Sequence, residues 1–213
     1  MDKDIKLLIF DFDGTLADTL PHLINCVQKC IDKYNLRQFT KEDVHEYNGG
    51  VLGNILKEFG AKEEQVPEIE KYFASIFLDN IADIYLYDNV SQTLKDLKQK
   101  GYTLAVATNR GRETIIPLLK SLGIISEFEM IISESDVENK KPNPDMINLI
   151  INKLNYSENE TLVLGDTKFD ILMSQNANCK SCYVCYDTKL DNDIVKLNPD
   201  FTIHNFKELN NIL

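Results

Sequence analysis

The stretch Leu7-Leu8-Ile9-Phe10-Asp11-Phe12-Asp13-Gly14-Thr15-Leu16 decides the fold, because four apolar residues run directly into two aspartates and a glycine. A short apolar run that ends at a turn signal is typical of a strand covered on both faces of a parallel sheet. In such sheets, ligands bind beyond the carboxyl ends of the strands. The stretch therefore predicts a buried strand with a functional site at its end.

The two aspartates indicate what this site handles. Because side chains alternate along a strand, Asp11 and Asp13 are expected on one side and Phe12 on the other. Two carboxylates held this close repel each other unless a cation or a shared proton relieves the repulsion. Gly14 allows the backbone to turn sharply and to approach a ligand closely.

The composition of the chain excludes several classes of partner. The 213 residues are 43% hydrophobic, which suffices for one sizeable core and a smaller attached unit. The formal net charge is -11 without a cluster of lysine or arginine, so neither nucleic acid nor an anionic membrane is an expected partner. No stretch approaches the ~18 apolar residues of a membrane helix.

The expected location is the cytoplasm. The apolar run from Ile5 to Phe10 contains Lys6 and is too short for a signal peptide. Five cysteines, an odd number, in a chain without an export signal indicate a reducing compartment.

A helical block follows the first strand. Four helical segments are expected, of which those that begin at Leu20, Val51 and Val66 carry apolar residues at helical spacing and the second, a short one, begins at Thr40. Thr40 with Asp43 resembles a capping box, Gly60 is a typical C-terminal cap, and the fourth segment extends to Ile84. No strand is predicted here. Residues 17–86 are therefore expected to form an inserted helical cap.

From Tyr87 onward, helices alternate with apolar strands. The strands are expected at Tyr102–Ala107, Met130–Ile132, Thr161–Leu164, Ser181–Tyr186 and Phe201–Ile203. This alternation favours a parallel sheet with right-handed crossovers. The predicted fold class is α/β, with a Rossmann-like parallel-sheet core of residues 1–16 and 87–213 carrying the α-helical cap.

Polar side chains end three of the expected strands or lie in the loop between them: Asp11 and Asp13, Thr108, Lys141, and Asp166 with Asp170. Neighbouring parallel strands would bring these groups into one crevice. Several carboxylates suit a hard cation, and Mg²⁺ typically takes one or two carboxylates together with water and substrate phosphate. A lysine and a threonine hydroxyl beside that cation favour a phosphate group as the ligand.

These residues also match a family. Asp11-Phe12-Asp13-Gly14-Thr15, Thr108-Asn109, Lys141-Pro142 and Gly165-Asp166-Thr167-Lys168-Phe169-Asp170 resemble, in this order, the four motifs of the haloacid dehalogenase-like phosphatases. The resemblance spans nearly the whole chain, and the helical block lies where that family inserts its cap. Tyr47-Asn48-Gly49-Gly50-Val51-Leu52 resembles the glycine-containing cap loop that covers the substrate in phosphoglycolate-phosphatase-like members.

The resemblance implies four catalytic roles. Asp11 is the nucleophile that becomes an aspartyl phosphate. Asp13 protonates the leaving oxygen and later takes a proton from the attacking water. Thr108 hydrogen-bonds the transferring phosphoryl group, whereas Lys141 balances its charge and orients Asp11. Lys140 is adjacent, but the family places its lysine directly before the proline.

The resemblance further implies a metal site and a substrate site. Mg²⁺ is expected on the Asp11 carboxylate, the Asp13 backbone carbonyl and Asp166, with Asp170 helping directly or through water. The residues expected to bind the substrate are Gly14, Asn109, Gly49 and Gly50.

The expected activity is Mg²⁺-dependent hydrolysis of a small phosphorylated metabolite, either a phosphoglycolate-like phosphomonoester or pyrophosphate. A sugar-phosphate mutase of the same fold and a non-catalytic relative that binds a ligand or partner remain alternatives. The non-catalytic relative is disfavoured because all six expected catalytic and metal-binding residues are present: Asp11, Asp13, Thr108, Lys141, Asp166 and Asp170. A dehalogenase is disfavoured because that branch lacks the second aspartate of the first motif, whereas this chain has Asp13. No oligomeric state is predicted.

Structural roles are expected for all five cysteines. The spacing Cys179-x-x-Cys182-x-x-Cys185 falls on an expected strand, which sends successive cysteines to opposite faces and argues against a shared metal. Cys26 and Cys30 are expected to pack in the core.

Isolated histidines and two arginines are also expected to lie outside the catalytic machinery. Arg110 and Arg112 follow Thr108-Asn109 and are near enough to reach an anionic substrate, but exposed arginines in a first helical turn are the commoner case. The histidines expected at surface or structural positions are His22, His45 and His204.

Overall fold

A six-stranded parallel sheet forms the centre of the protein, for which the computed structural model describes residues 5–40, 43, 49–186 and 190–213. The strands are β1 (Leu7–Phe10), β2 (Ala17–Asp18), β3 (Tyr85–Leu86), β4 (Thr103–Thr108), β5 (Met130–Ser133), β6 (Thr161–Gly165), β7 (Lys180–Val184) and β8 (Phe201–Ile203). The sheet order is β5-β4-β1-β6-β7-β8, with every neighbouring pair parallel. The predicted α/β class and parallel sheet are confirmed.

Helices cover both faces of the sheet and form the cap. They are α1 (Leu20–Tyr34), α2 (Leu52–Glu58), α3 (Val66–Asp79), α4 (Val90–Gln99), α5 (Arg112–Ser121), α6 (Asp145–Leu154), α7 (Lys168–Asn176), α8 (Asn192–Lys196) and α9 (Leu209–Ile212). Within the described ranges, none is long and apolar enough to cross a membrane.

The central strand β1 is anchored from both sides. Leu8 and Phe10 pack into an apolar cluster with residues of α4 and α5. Leu7 and Ile9 pack into a second cluster, with residues of α6. All four side chains are fully buried, and burial of such a side chain contributes about 1.5–3 kcal/mol. This packing fixes the carboxyl end of β1, where the polar residues begin.

The cap is helical, as predicted, and its two ends meet. The strands β2 and β3 pair antiparallel, with Ala17 opposite Leu86, so the chain leaves and re-enters the core side by side. Inside the cap, Cys26 and Cys30 of α1 are fully buried, which confirms their packing role. The division into core 1–16 with 87–213 and cap 17–86 stays a prediction.

Two predictions for the helical block are wrong in detail. It was expected to contain no strand, but β2 and β3 lie at its ends, each too short for an alternating pattern to be visible in sequence. The last helix was expected to reach Ile84; α3 ends at Asp79, and a 3-10 turn at Ile81–Asp83 follows. Ile84 fits the apolar pattern because its side chain is buried, although it lies beyond the end of the helix.

The second predicted cap helix lies outside the described residues, but its capping box is present. The Thr40 backbone N–H donates to Asp43 Oδ2 at 2.7 Å. The Asp43 backbone N–H donates to Thr40 Oγ1 at 3.3 Å.

Candidate active site

The ends of three adjacent strands bring the predicted residues together. In the sheet register, Phe10 of β1 lies opposite Val106 of β4 and Leu164 of β6. The next residues along these strands lead to Asp11, Thr108 and Asp166. Asp11 continues the pairing, because its backbone N–H donates to the Leu164 carbonyl at 2.8 Å. The predicted convergence at one edge of the sheet is therefore present.

Lys141 joins two of the carboxylates. Its Nζ donates to Asp11 Oδ1 at 2.6 Å and to Asp170 Oδ1 at 2.7 Å, and all three side chains are buried. The Lys141 backbone N–H donates to Asn109 Oδ1 at 3.1 Å, which fixes the loop against the end of β4. Lys140 makes neither of these carboxylate contacts. The structure therefore places Lys141, the lysine that the resemblance favours, beside Asp11 and Asp170.

Gly14 and Thr15 hold Asp166 in position. The Thr15 hydroxyl donates to Asp166 Oδ1 at 2.9 Å. Gly14 has a φ of +75°, and a Cβ at that position would lie 2.2 Å from Asp166 Oδ2. Glycine is therefore required here on both conformational and steric grounds. Gly14 contacts the acidic cluster, but it is not among the described residues that line the cavity.

Asp170 caps α7 and also belongs to the acidic cluster. Thr167 and Asp170 form a capping box, in which the Thr167 backbone N–H and hydroxyl donate to Asp170 Oδ2 at 3.0 and 2.6 Å. The other oxygen, Oδ1, accepts from Lys141. Because a capping box fixes the first helical turn, it also fixes the direction in which Asp170 faces.

The site carries more negative charge than its lysine balances. Burial, together with the neighbouring Asp170 and Asp13, raises the pKa of Asp11 from 3.8 to about 7, although Lys141 opposes the shift. Burial and the charges of Asp11 and Asp170 raise the pKa of Asp166 well above its usual value. Burial alone would lower the pKa of Lys141, but Asp11 and Asp170 outweigh it and keep the ammonium charged.

A divalent cation fits this arrangement. Asp11, Asp166 and Asp170 each offer a carboxylate oxygen, and these oxygens lie within 4.8 Å of one another. Buried carboxylates that repel one another are stabilised by a bound cation, and an all-oxygen donor set suits Mg²⁺ or Ca²⁺ rather than a soft metal. The predicted metal ligands with side chains in the cluster are thus close enough to act together.

Asp13 faces a different set of partners. Thr19 Oγ1 donates to Asp13 Oδ1 at 2.5 Å. Arg110 binds the same carboxylate with two donors, Nε to Oδ2 at 3.0 Å and Nη2 to Oδ1 at 2.5 Å. The Arg110 guanidinium also lies over the Phe77 ring of α3, 4.2 Å from its centroid. Asp13 therefore lies at the junction of the core and the cap.

The expectation for Arg110 was wrong. It was assigned with Arg112 to an exposed first turn; Arg112 is half-exposed and paired with Asp136, but Arg110 is only 7% exposed and bound to Asp13. Arg110 lies before Gly111, the N-cap residue of α5, and is therefore outside the helix. Helical periodicity cannot predict where its side chain points. The nearest signal in the sequence was its position two residues after Thr108.

The cap reaches the core through its glycine loop. Asn109 Nδ2 donates to the Gly49 carbonyl at 3.0 Å. Gly49 has a φ of +77°, and a Cβ there would lie 2.8 Å from Cγ2 of Thr167. Gly50, Gly49 and Asn109 line one cavity of about 310 Å³ together with Asp11, Asp13 and Thr108. The predicted substrate-binding residues, Gly14 apart, thus face the same space as three of the predicted catalytic residues, whereas Lys141 is not among the described residues that line it.

The remaining cysteines and the described histidines are structural. Cys179, Cys182 and Cys185 pack in three different apolar clusters, as expected for a spacing of three on a strand, and none of the three is in a disulfide. His22 Nε2 lies 3.0 Å from the Phe77 carbonyl and His204 Nδ1 2.9 Å from the Cys185 carbonyl. His45 lies outside the described residues.

The fold and the site together define a class of protein. A parallel sheet presents a buried carboxylate beside an ammonium and an acidic cluster with the donor set of a cation site, beneath a helical cap. Such a protein is a capped α/β enzyme acting on an anionic substrate. Residues 8–184 match the family described as haloacid dehalogenase-like hydrolase. The chain belongs to that family.

Relatives of similar length carry phosphatase names. A phosphoglycolate phosphatase from Vibrio parahaemolyticus is 30% identical over 217 residues, covering 97% of this chain and 95% of that protein. Pyrophosphatase PpaX from Bacillus pumilus is 30% identical over 210 residues, covering 98% and 96%. The chain is thus a phosphatase of the haloacid dehalogenase-like family.

Solved structures agree with this assignment. A protein described as a predicted phosphoglycolate phosphatase from Haemophilus somnus has a TM-score of 0.86 at 26% identity, with 98% of both chains covered. CbbY from Rhodobacter sphaeroides, solved in complex with phosphate, has a TM-score of 0.83 with 96% of both chains covered. At 20% identity, CbbY supports the fold alone.

Proposed function

We propose that this protein is a Mg²⁺-dependent phosphatase that hydrolyses a small phosphomonoester through a phosphorylated Asp11. One observation carries the proposal. The Asp11 carboxylate lines the cavity, is held by Lys141 Nζ at 2.6 Å, and belongs to the acidic cluster with Asp166 and Asp170. A carboxylate nucleophile therefore lies where a cation and an ammonium can offset the charge of a phosphate.

The reaction proceeds in two balanced steps. In the first step, an Asp11 carboxylate oxygen attacks phosphorus and the bond from phosphorus to the leaving oxygen breaks, while Asp13 gives its proton to that oxygen. In the second step, water attacks the phosphorus of the aspartyl phosphate and gives a proton to Asp13, while the bond from phosphorus to the Asp11 oxygen breaks. Inorganic phosphate leaves, Asp11 is regenerated, and Asp13 is protonated for the next cycle.

Other residues hold the reacting groups. The Thr108 hydroxyl already accepts from the Arg110 backbone N–H at 3.1 Å, so its own hydrogen is available to a phosphoryl oxygen. Lys141 orients Asp11 and offsets the negative charge. Mg²⁺, held by Asp11, the Asp13 carbonyl, Asp166 and Asp170, would supply the positive charge that lets an anionic carboxylate approach an anionic phosphate.

The setting of the reaction is also part of the proposal. Relatives named phosphoglycolate phosphatase and pyrophosphatase PpaX support a small phosphorylated metabolite as the substrate. The helical cap over the cavity would exclude bulk water during the transfer. Five buried cysteines, none of them in a disulfide, support the cytoplasm as the compartment.

Hydrolysis of p-nitrophenyl phosphate tests this proposal. Wild type is expected to be active with Mg²⁺ and inactive with excess EDTA, and Asp11→Asn should lower kcat by at least about 10³-fold because it removes the nucleophile. Asp83→Asn, which changes an exposed aspartate in the cap, is the matched control and should retain activity. Activity of Asp11→Asn, or activity in EDTA, would contradict the mechanism. Inactivity of wild type towards every phosphate ester would favour a ligand-binding relative.

A further inference from the structure

The cavity above the catalytic residues has a strongly apolar side. It measures about 310 Å³, and the cap contributes side chains from α1, α2 and α3 to its wall. The apolar residues that matter are Leu20, Leu23, Ile24, Leu52, Ile55 and Phe73. A charged group that loses its water against such a wall, without a partner, pays a large desolvation penalty. The part of a substrate that lies there is therefore favoured to be apolar.

The polar part of the same wall is acidic. Glu70 of α3, Glu113 of α5 and Glu134, which follows β5, all line the cavity. Burial, with the charges of Glu70 and Glu113, raises the pKa of Glu134 to about 7, although Lys140 opposes the shift. Burial and the charge of Glu113 likewise raise the pKa of Glu70. An additional anion in this space would meet repulsion from the same groups.

One of these carboxylates has an unused acceptor. Glu134 Oε2 is buried and finds no hydrogen-bond partner in the part of the chain that the structure describes. Buried polar atoms are usually paired, and an unpaired one is costly. When Glu134 is ionised, a ligand that brings a hydroxyl or amine hydrogen to Oε2 would satisfy it, whereas a ligand carboxylate would add a second acceptor.

Positive charge in the cavity wall is already engaged. Arg110 is the one basic side chain that lines the cavity within the described ranges. Its Nε and Nη2 atoms donate to the Asp13 carboxylate, and its guanidinium lies over the Phe77 ring. Asp13 holds two of the five N–H donors of Arg110 and offsets its charge, so a second anionic group on the substrate, such as a carboxylate or a second phosphate, would meet no uncompensated positive charge at this arginine.

We propose that this enzyme selects phosphomonoesters whose leaving group carries no negative charge, has an apolar portion, and offers a hydroxyl or amine hydrogen to Glu134. This inference rests on the proposed function, since it concerns the leaving group in the same reaction. It sets the chain apart from relatives whose names specify phosphoglycolate or pyrophosphate, because both of those substrates have anionic leaving groups.

A set of esters matched in size tests the proposal. Phosphoglycolate, its uncharged amide (2-amino-2-oxoethyl phosphate) and the cationic 2-aminoethyl phosphate differ chiefly in the charge of the leaving group. We expect kcat/KM for the amide and the amine to exceed that for phosphoglycolate by at least about tenfold, and pyrophosphate to be poorer still. Equal or faster turnover of phosphoglycolate or pyrophosphate would overturn the inference and leave the phosphatase assignment intact. No turnover of any ester would overturn both.

Charge-removing variants test which groups cause the selection. The pair Glu70→Gln with Glu134→Gln should reduce the preference for the amide over phosphoglycolate by about tenfold, because it removes the two carboxylates that meet the leaving group. Glu138→Gln, an exposed glutamate four residues after Glu134, should leave the ratio unchanged. An unchanged ratio in the double variant would overturn the role of Glu70 and Glu134 in selection.

Discussion

A single ammonium organises the acidic cluster at the scale of residues. Lys141 contacts Asp11 and Asp170 with its side chain and Asn109 with its backbone, so it ties the proposed nucleophile, the start of α7 and the end of β4 together. Removing one partner of a buried ion pair leaves an uncompensated charge, which commonly costs about 3–5 kcal/mol. The lysine therefore supports the geometry of the site as well as its charge.

Arg110 performs a comparable positioning task for Asp13. We expect Arg110→Gln to lower kcat by about 10–100-fold, because Asp13, the carboxyl proposed to transfer the proton, loses two of its hydrogen bonds. The loss should be larger for an alkyl phosphate than for p-nitrophenyl phosphate, since nitrophenolate leaves readily without a proton. Arg110→Lys should recover only part of the rate, because an ammonium cannot form the two-pronged contact.

Steady-state kinetics with both esters provide the measurement. Arg112→Gln is the control, because this arginine is two residues away and pairs with Asp136 at the surface. A merely structural role for Arg110 would lower the rates of both esters equally and together with the melting temperature, and that result would contradict the positioning role.

Sequence indicates site residues best where backbone position alone fixes them. Asp11 and Asp166 directly follow strands and Thr108 ends one, so the parallel sheet brings them together whatever their side-chain rotamers. Arg110 and Glu134 depend on side-chain direction and on packing against the cap, for which the sequence carries no periodic signal. Their roles therefore required the three-dimensional structure.

At the scale of elements, the glycine loop of the cap forms a defined contact with the start of α7. The Gly49 carbonyl accepts a hydrogen bond from Asn109. Because Gly49 has no side chain, its Cα can lie close to Thr167. Long helices such as α1 and α3 were predictable because several turns repeat the apolar pattern. The two-residue strands β2 and β3 were not, since pairing across the cap defines them.

Two glycines allow the cap contact to be tested against backbone strain. Gly49 and Gly60 both have positive φ, but a Cβ at Gly60 would meet nothing within 4 Å, whereas one at Gly49 would press on Thr167. Both Gly→Ala changes should cost about 1–2 kcal/mol of folding stability, the usual penalty for a left-handed alanine. Only Gly49→Ala should also lower kcat/KM, by about tenfold, because the loop is displaced from Asn109 and the substrate.

Thermal unfolding and phosphatase kinetics on the two variants separate these effects. Equal losses of kcat/KM in Gly49→Ala and Gly60→Ala would indicate that general strain in the cap, rather than docking on the core, controls the reaction.

At the scale of the whole molecule, both the cap and the core contribute carboxylates to the wall of the cavity between them. Glu70 belongs to the cap, whereas Glu113 and Glu134 belong to the core, and the chain as a whole carries a formal charge of -11. Like charges across an interface oppose closure of its two sides. The stability of the closed molecule should therefore depend on whether these carboxylates are ionised.

The pH dependence of stability follows from Glu134. Its pKa rises from 4.5 to about 7 through burial and the neighbouring carboxylates, so between these values the folded chain keeps a proton that the unfolded chain releases. The contribution of Glu134 is therefore greatest below pH 4.5 and is lost as the pH rises through 7. Glutamine cannot ionise, so Glu134→Gln should be more stable than wild type at pH 8 but not at pH 4.5.

Melting temperatures of the metal-free protein across this range give the measurement. Since the side chain is only partly buried and therefore screened, we expect a gain of order 1 kcal/mol at pH 8, or about 2–4 °C. Glu138→Gln, on the exposed surface, should follow wild type at every pH. A Glu134→Gln curve parallel to wild type from pH 4.5 to 8 would mean that Glu134 ionises without cost, and the repulsion invoked between cap and core would then be absent.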